Sequence, residues 1–445
     1  MPRFVIYISI LFLNLCFIPV SLRAQEANEG KVRAERLMQF FLHDRGDSLY
    51  AHISDKVRSQ VSPETMNGIL ATLERQVGKY QSHGEWQVME VSGRTIYNSG
   101  VRYERMTLYL NILFDENGDW MTFYFSPVPM RPTDKPTLRN DSLMIETELT
   151  VVCDTIRLPG TLTLPKNVTK PPVVVLVHGS GANDRDETVS ANKPFRDIAW
   201  GLAERGIAVL RYDKRTHVYP RSVRDWDEET VDDALAAIRL LSGRTDVDTE
   251  NIFLIGHSQG AMCAPRIAEK AGDVLAGIVM LASPARPLED LLLEQVKYLA
   301  SLSADTSAAE RQVQEIERQV ANVKALGTSA YVDSIGLPLG ADENYFSFLR
   351  RYDPVRTAEG LTIPMYIMQG ARDYQVTMED FLLWQEAMRS HPNATLRAYP
   401  HLNHLLQEGE GKAVPDEYMR ETPVATYLIQ DVAEWIKTNQ RKRNF

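Results

Sequence analysis

The sequence predicts an α/β protein, in which a mostly parallel β-sheet is flanked by helices and preceded by a small α+β domain. Three observations predict this class. From Leu143 onward, apolar segments of strand length alternate with segments of helical periodicity, which is typical of a parallel sheet. The run Val173–Val177 is apolar on both faces, as a central parallel strand requires. Four prolines between Ser126 and Pro136 divide this region from the preceding one, because prolines interrupt both helices and central strands.

The chain length of 445 residues predicts two domains. Residues 1–24 have the pattern of a signal peptide, with Arg3 before a long apolar stretch and Ala24 at the cleavage position, which predicts a protein secreted to the periplasm. An uncleaved membrane anchor is the alternative. The other predicted segments are an N-terminal α+β domain over 25–126, a proline-rich linker over 127–141, and a larger domain over 142–445 with a helical cap at about 285–362.

Helical patterns open the N-terminal domain, and antiparallel strands follow them. The apolar helix positions are Val32, Leu37, Phe40 and Phe41 in the first pattern and Met66, Ile69, Leu70, Leu73 and Val77 in the second. The predicted strands are Trp86–Thr95, Tyr103–Phe114 and Trp120–Phe125, with hairpin turns at Asn98-Ser99-Gly100 and Glu116-Asn117-Gly118. This arrangement resembles the cone-shaped domains of the cystatin and nuclear-transport-factor type. It contains no catalytic set of residues.

The larger domain alternates strands with helices. Its predicted strands are Leu143–Cys153, Ile156–Leu164, Val173–His178, Ala208–Tyr212, Ile252–Ile255, Ala276–Leu281, Met365–Gln369 and Thr395–Tyr399. Its predicted helices are Pro194–Arg205, Glu229–Leu241, Gly260–Lys270, Met378–Arg389 and Val424–Thr438. The interval between Leu281 and Ile363 has helical patterns at Leu288–Leu302 and Glu310–Ala325 and no strong strand signal. We interpret it as a helical lid over a pocket; a solvated excursion that never touches substrate is the alternative.

The segment Gly256-His257-Ser258-Gln259-Gly260 carries the clearest chemical signal. A Gly-x-Ser-x-Gly between a predicted strand and a predicted helix is typical of the nucleophile elbow of α/β-hydrolases. The glycines allow a sharp turn that exposes the serine hydroxyl. Ser258 is therefore the predicted nucleophile.

A serine hydroxyl needs a base, and in this fold an acid and then a histidine follow the serine along the chain. Asp373 directly follows a predicted strand and is the predicted acid, with Asp380 as the fallback. His404 and His401 share the loop after the last predicted strand. We select His404 because two leucines follow it and can pack the loop down, and His401 remains the alternative.

The tetrahedral intermediate of acyl transfer needs N–H donors for its oxyanion. The backbone N–H of Gln259, at the start of a helix, is one predicted donor. The loop His178-Gly179-Ser180-Gly181 resembles the oxyanion loop His-Gly-Gly-Gly, and the N–H of Ser180 is the second predicted donor. The charged segment 211–215 is interpreted as a structural turn.

Composition excludes several classes of function. A net charge of −10 argues against nucleic acid as a partner, because phosphate binding needs a basic face. Once the signal peptide is removed, Cys153 and Cys263 are the remaining cysteines, too few for a disulfide framework. No His/Cys cluster has zinc-ligand spacing, so no metal is expected. We expect a small-molecule ester as partner, no cofactor and no stable membrane anchor after signal cleavage; the sequence leaves the oligomeric state open.

The oxyanion loop 178–181, the charged segment 211–215, the Gly-x-Ser-x-Gly at 256–260, Asp373 and His404 carry a family resemblance. Together they resemble the bacterial α/β-hydrolase serine esterases of the EstD type, which carry a small N-terminal α+β domain. The resemblance covers about Leu143 to Lys437 well and the N-terminal domain more loosely. It implies an α/β-hydrolase fold with a helical cap and hydrolysis of carboxylic esters through an acyl-enzyme. Serine aminopeptidases and acyl-thioester hydrolases share these features and are alternatives. A rival from another class is a binding protein that uses its N-terminal domain, with the larger domain as scaffold.

Overall fold

The structure is a computed structural model of the chain. It describes residues 20–42, 46–58, 78–91, 94–104, 107–115, 117–126, 140, 142–220, 225–303 and 305–441. The chain divides into two compact units, Met1–Pro136 with Met419–Glu421 and Thr137–Tyr418 with Thr422–Phe445. Three predicted features lie outside the described residues: the signal peptide up to residue 19, the second helical pattern, and the linker apart from Asn140.

The described part of the first unit contains helices and a five-stranded antiparallel sheet. The helices are α1 (Val20–Leu42), α2 (Gly46–Ala51) and α3 (Asp55–Arg58). The strands are β1 (Tyr80–His83), β2 (Gln87–Val91), β3 (Arg94–Tyr103), β4 (Thr107–Phe114) and β5 (Trp120–Ser126), in the order β1-β3-β4-β5 with β2 paired to β3. Leu37 and Met38 of α1 are buried in one core with Val101, Leu110 and Trp120 of the sheet.

The hairpin turn predicted at Asn98-Ser99-Gly100 is wrong, because these residues lie inside β3. Asn98 pairs with Gln87 on one side and with Asn111 on the other. Its buried side-chain amide donates a 2.7 Å hydrogen bond to Oδ1 of Asn111. This partner satisfies a polar group that would otherwise favour a turn, so β3 continues through a sequence with turn character. At the other predicted turn, Gly118 adopts a φ of +83° between β4 and β5.

The second unit is built on an eight-stranded sheet. Its strands are β6 (Met144–Cys153), β7 (Ile156–Pro165), β8 (Val173–Val177), β9 (Ala208–Tyr212), β10 (Ile252–His257), β11 (Leu275–Leu281), β12 (Met365–Gly370) and β13 (Ala394–Tyr399). The strand order is β6-β7-β9-β8-β10-β11-β12-β13. The pairs of β7 with β6 and β9 are antiparallel, and all pairs from β9 to β13 are parallel. The mostly parallel sheet predicted from the sequence is confirmed.

Helices connect these strands. They are α4 (Pro194–Glu204), α5 (Arg215–Val218), α6 (Asp232–Ser242), α7 (Gln259–Ala271), α8 (Leu288–Ser301), α9 (Thr306–Lys324), α10 (Glu343–Leu349), α11 (Pro354–Glu359), α12 (Met378–Ala387) and α13 (Thr426–Thr438). A π-helical turn at Asp227–Val231 leads into α6, and 3₁₀ turns occur at Gly272–Val274, Asp333–Ile335, Pro338–Gly340 and Pro415–Met419.

Two apolar cores lie on opposite faces of the sheet. In β8, Val173, Val175 and Val177 belong to the core that α6 and α7 complete, whereas Val174 and Leu176 belong to the core that α4 and α13 complete. Alternate side chains of a strand point to opposite faces, so a strand covered on both faces must be apolar throughout. Because β8 is covered on both faces, it appears in the sequence as an uninterrupted apolar run.

Helices α8 to α11 form the insertion between β11 and β12, where the sequence predicts a helical cap. The N-terminus of α9 is capped by the Asp305 carboxylate, which accepts the Ala308 N–H at 2.9 Å. Asn322 near its other end donates to the carbonyl groups of Val332 and Gly336 at 2.9 and 3.0 Å. These bonds fix the irregular segment that leads to α10.

Candidate active site

Ser258 lies in the turn between β10 and α7. Its φ of +53° and ψ of −114° are a strained conformation for a residue with a side chain. The Ser258 N–H donates to the Leu281 carbonyl at 2.9 Å, and the Ser258 carbonyl accepts the Met262 N–H at 3.0 Å. The strained residue is therefore held from one side by β11 and from the other by the first turn of α7.

Close backbone packing requires both glycines of the motif. A Cβ on Gly256 would lie 2.3 Å from the carbonyl oxygen of Gly260, and a Cβ on Gly260 would lie 2.2 Å from that of Val177. Cβ atoms in proteins essentially never come within 3.0 Å of such neighbours. The start of α7 is thereby packed directly against the end of β8, where the predicted oxyanion loop begins.

Asp373 and His404 come together from the loops after β12 and β13. Asp373 Oδ2 lies 2.6 Å from His404 Nδ1, and both side chains are buried. The second oxygen of Asp373, Oδ1, accepts the N–H groups of Gln375 at 2.7 Å and Val376 at 3.1 Å. Gln369 Nε2 donates to Oδ2 at 3.3 Å. These donors fix the carboxylate in the orientation in which one oxygen faces the imidazole.

The alternatives that the sequence left open lie elsewhere. Asp380 pairs with Arg286 at 2.7 Å and accepts two backbone N–H groups at the start of the cap. His401 is exposed. Of the two histidines on this loop, only His404 forms an ion pair or hydrogen bond with Asp373 in the described structure.

The loop that carries His404 is fixed by its own polar groups and by the helix that follows. Asn403 Oδ1 accepts two backbone N–H groups of the loop, each at 3.0 Å. Leu406 adopts a φ of +63°, and its carbonyl accepts the N–H of Ala425, just before α13, at 3.0 Å. Leu406 is also buried in the core to which α13 contributes. The backbone around His404 is therefore tied to α13.

The elbow that carries Ser258 contacts the loop of His404 through His257, whose Nε2 lies 2.8 Å from the His404 carbonyl oxygen. The ring of His257 is centred 4.8 Å from the ring of His404. Among the hydrogen bonds of the described residues, none involves the Ser258 hydroxyl. Catalytic hydrogen bonds are often long without substrate and shorten when it binds. Because Nδ1 of His404 faces Asp373, Nε2 is the nitrogen left for the serine.

The predicted oxyanion donors belong to two segments that meet at Ser258. Gln259 is the first residue of α7, where a backbone N–H has no partner within the helix. Ser180 follows Gly179, and a Cβ at Gly179 would lie 3.2 Å from the Cβ of Ser258. The Gly179 N–H is already donated to Glu187 at 2.6 Å, which leaves the Ser180 N–H as the next donor along the loop.

Comparison with known families identifies the fold of the second unit. Residues 174–418, more than half of the chain, match the alpha/beta hydrolase family. The chain belongs to the α/β hydrolase family. The fold class expected from the sequence is thereby confirmed. In the first unit of this hydrolase, residues 34–123 match a family described as a protein of unknown function (DUF3887).

The hydrolase is similar over most of its length to an esterase. It is 34% identical over 403 residues to Esterase EstD of Thermotoga maritima, which covers 90% of this chain and 93% of the relative. This finding confirms the resemblance inferred from the motifs. Among solved structures, Est1E from Butyrivibrio proteoclasticus with bound ferulic acid is 18% identical with a TM-score of 0.44, covering 65% of this chain and 98% of that one. A Pyrococcus horikoshii acylaminoacyl peptidase is 12% identical with a TM-score of 0.46, covering 82% and 52%.

The sequence did not single out a buried ammonium group beside the predicted oxyanion donors of this hydrolase. Lys214 is buried, and its Nζ lies 2.8 Å from Glu229 Oε1 and 2.9 Å from the Gly179 carbonyl oxygen. The same Nζ lies 3.4 Å from Oε1 of Gln259. Tyr345 of α10 donates to Oε2 of Glu229 at 3.2 Å. One charged pair therefore links both donor segments to the cap.

A second buried pair, Glu187 and His257, was also not predicted from the sequence. Glu187 Oε2 lies 2.8 Å from His257 Nδ1. Burial acts to lower the pKa of His257, but the Glu187 carboxylate, the His404 carbonyl oxygen and Asp373 together outweigh burial, and the pKa of His257 is raised. Burial acts in the opposite sense on Glu187, and His257 holds the pKa of that carboxyl below its usual value. No sequence signal distinguishes Glu187 from its acidic neighbours Asp184 and Asp186.

The described residues also include potential metal ligands and two cysteines outside the candidate site. No three His, Cys, Asp or Glu side chains of the described ranges converge as a metal site would require. Cys153 and Cys263 are buried free thiols. Burial raises the pKa of Cys153 to about 11 and that of Cys263 well above its ordinary value, so both are protonated and unreactive near neutral pH. Within the described part of the hydrolase, no helix combines the length and apolar character needed to cross a membrane.

Proposed function

We propose that this hydrolase is a secreted serine esterase, which cleaves carboxylic esters through an acyl-enzyme intermediate. The proposal is carried by the 2.6 Å contact between Asp373 and His404, next to the elbow that holds Ser258 at a φ of +53°. The relative with 34% identity is named an esterase, which favours an ester as the bond that is cleaved.

Each residue has one role in the proposed reaction. The Ser258 hydroxyl attacks the ester carbonyl while Nε2 of His404 takes its proton. Asp373 remains ionised, keeps the other ring nitrogen protonated and stabilises the imidazolium. The oxyanion of the tetrahedral intermediate accepts the N–H groups of Ser180 and Gln259. His404 then protonates the leaving alcohol, and a water molecule activated by the same imidazole releases the acid from Ser258.

Hydrolysis of p-nitrophenyl acetate, butyrate and octanoate by the mature protein tests the proposal. Ser258→Ala should lower turnover by several orders of magnitude while leaving the melting temperature nearly unchanged. The relative rates on the three esters rank the size of the acyl pocket. A folded wild-type protein that cleaves none of them would contradict the esterase proposal, and aminoacyl amides would then test peptidase chemistry.

The pH dependence of the rate tests the base. An imidazole acts as a base only when it is neutral, so we expect activity to be lost once the pH is low enough to protonate the base. A rate that does not fall at acidic pH would count against a histidine as the base.

Secretion to the periplasm is proposed from the pattern of residues 1–24. Protein recovered from the periplasm of an expressing bacterium should begin at Gln25, as N-terminal sequencing would establish. A chain that retains Met1 and sediments with membranes would favour the uncleaved anchor.

A further inference from the structure

The buried Glu187–His257 pair contacts three segments on which the proposed reaction depends. Oε1 of Glu187 accepts the Gly179 N–H at 2.6 Å, at the start of the loop that carries Ser180. His257 is itself part of the elbow. Its Nε2 lies 2.8 Å from the carbonyl oxygen of His404. Two side chains therefore join the oxyanion loop, the nucleophile and the loop of the base.

The contacts of His257 define its protonation state. Nδ1 faces a carboxylate oxygen of Glu187, and Nε2 faces a backbone carbonyl oxygen. Both oxygens can only accept hydrogen bonds, so each ring nitrogen must carry a proton. His257 is therefore an imidazolium, and the Glu187 carboxylate balances its charge inside the protein.

The titratable groups that face this imidazolium are Glu187, Asp373 and His404, and His178 interacts with Glu187. Burial opposes the charge, but Glu187 and Asp373 favour it, and the pKa of His257 is raised as a result. Burial lowers the pKa of His178 to about 4, so this ring is neutral near pH 7 and adds no competing charge. The direction of this shift agrees with the proton that the two acceptors of His257 require.

We propose that the Glu187–His257 pair is a positioning device, in which Nε2–H of His257 holds the backbone of the base His404 and Glu187 holds the oxyanion loop. This inference rests on the proposed serine esterase function. The pair places groups and does not touch the reacting atoms. Its importance follows from geometry, because a misplacement of about 1 Å can cost about 10²-fold in rate.

Loss of one proton from His257 would break one of its two contacts. Nδ1 keeps its proton because a carboxylate is the stronger acceptor. Nε2 would then present a lone pair to the His404 carbonyl oxygen, and the contact would become repulsive. The pair is therefore intact below the pKa of His257 and fails above it, so kcat should decline at alkaline pH.

Two substitutions of His257 separate positioning from packing. The amide nitrogen of glutamine can occupy the place of Nε2, whereas that of asparagine reaches only the place of Nδ1. His257→Asn should therefore lower kcat about 10- to 100-fold with little change in KM, and His257→Gln should recover most of that loss. Asp186→Asn is the matched control, because Asp186 lies in the same loop and pairs with Lys193 at 2.8 Å. It should leave kcat unchanged.

The pH dependence of kcat is the readout that a packing role would not move. The wild-type protein should lose activity at alkaline pH, and His257→Gln, which has no titrating group at this place, should retain it. In Glu187→Gln the amide oxygen stays on the Gly179 N–H and the NH2 group faces Nδ1, so the neutral ring of His257 keeps its proton on Nε2 and the alkaline decline should be absent. This last comparison decides the proposal even where a His257 variant does not fold.

An alkaline decline that is the same in the wild type and in these variants would overturn the proposal. So would a folded His257→Asn with kcat within about threefold of the wild type. Failure of the esterase function itself would be distinguishable, because the wild-type protein would then not react with a fluorophosphonate probe, or Ser258→Ala would remain active.

Discussion

Replacement of Asp373 by asparagine tests how Asp373 orients the base His404, because the histidine itself remains in place. Oδ1 of Asp373 accepts the N–H groups of Gln375 and Val376, and Oδ2 faces Nδ1 of His404. An asparagine must keep its carbonyl oxygen on the two backbone donors, because the flipped amide would leave both facing another donor. Its NH2 group then takes the place of Oδ2 and points an N–H at His404.

The expected magnitude follows from the tautomer that this forces. Facing a donor, Nδ1 of His404 must accept, so the single proton of the neutral ring moves to Nε2. Nε2 is the atom that has to take the proton of Ser258. In a serine hydrolase this exchange lowers kcat by about 10⁴-fold, which corresponds to about 5 kcal/mol in the activation barrier.

The assay is kcat for p-nitrophenyl butyrate, with Asp380→Asn as the matched control. Asp380 is also buried and also accepts two backbone N–H groups, but its partner is Arg286. The control should lose stability and keep its turnover. If Asp373→Asn folded normally and kept kcat within about tenfold of the wild type, the assignment of the acid would be refuted.

Gly260→Ala should lower the free energy of unfolding by more than about 3 kcal/mol in a urea titration, because its Cβ would lie 2.2 Å from the Val177 carbonyl oxygen. The free energy of unfolding should decrease by about 3 kcal/mol as the pH falls from 6.5 to 4, because burial lowers the pKa of His178 to about 4. In this pH range His178 takes up a proton in the unfolded chain but not in the folded chain. Lys214→Met should cost about 3–5 kcal/mol in thermal or urea denaturation by leaving Glu229 as an unpaired buried carboxylate, and adding Glu229→Gln should restore part of this.

Each of these three predictions would be contradicted by a specific result. A wild-type melting temperature in Gly260→Ala would contradict the close packing of α7 on β8. An equal loss of stability at low pH in His178→Gln would assign the pH dependence to another group. If the losses of Lys214→Met and Glu229→Gln were simply additive in the double variant, the two residues would not act as a pair.

The location of the candidate site could be predicted because this fold orders its reactive residues along the chain. Ser258, Asp373 and His404 follow three strands, and parallel strands end at one edge of the sheet. The strands could be predicted from the sequence because both faces of the central sheet are buried, which requires long apolar runs. The short helices α10 and α11 have too few turns for a periodic pattern to emerge, and they were not predicted.

Polar contacts between distant segments could not be predicted. Glu187 and His257 are 70 residues apart, and an irregular loop has no periodicity that would indicate which of its acidic residues turns inward. Lys214 stands among charged neighbours and is distinguished only by its burial against Glu229. Asn98 has a local preference for turns, and the partner that overrides this preference, Asn111, lies on another strand.

The bond between the Leu406 carbonyl and the Ala425 N–H means that the base depends on a helix later in the chain. A nascent polypeptide that has been synthesised only through β12 and the loop after it contains Ser258 and Asp373 but no histidine to serve them. In the proposed mechanism such an intermediate is inactive until α13 has been synthesised and has packed in place. A chain truncated before α13 should lack ester turnover for the same reason, so ester turnover indicates that the C-terminal segment is in place.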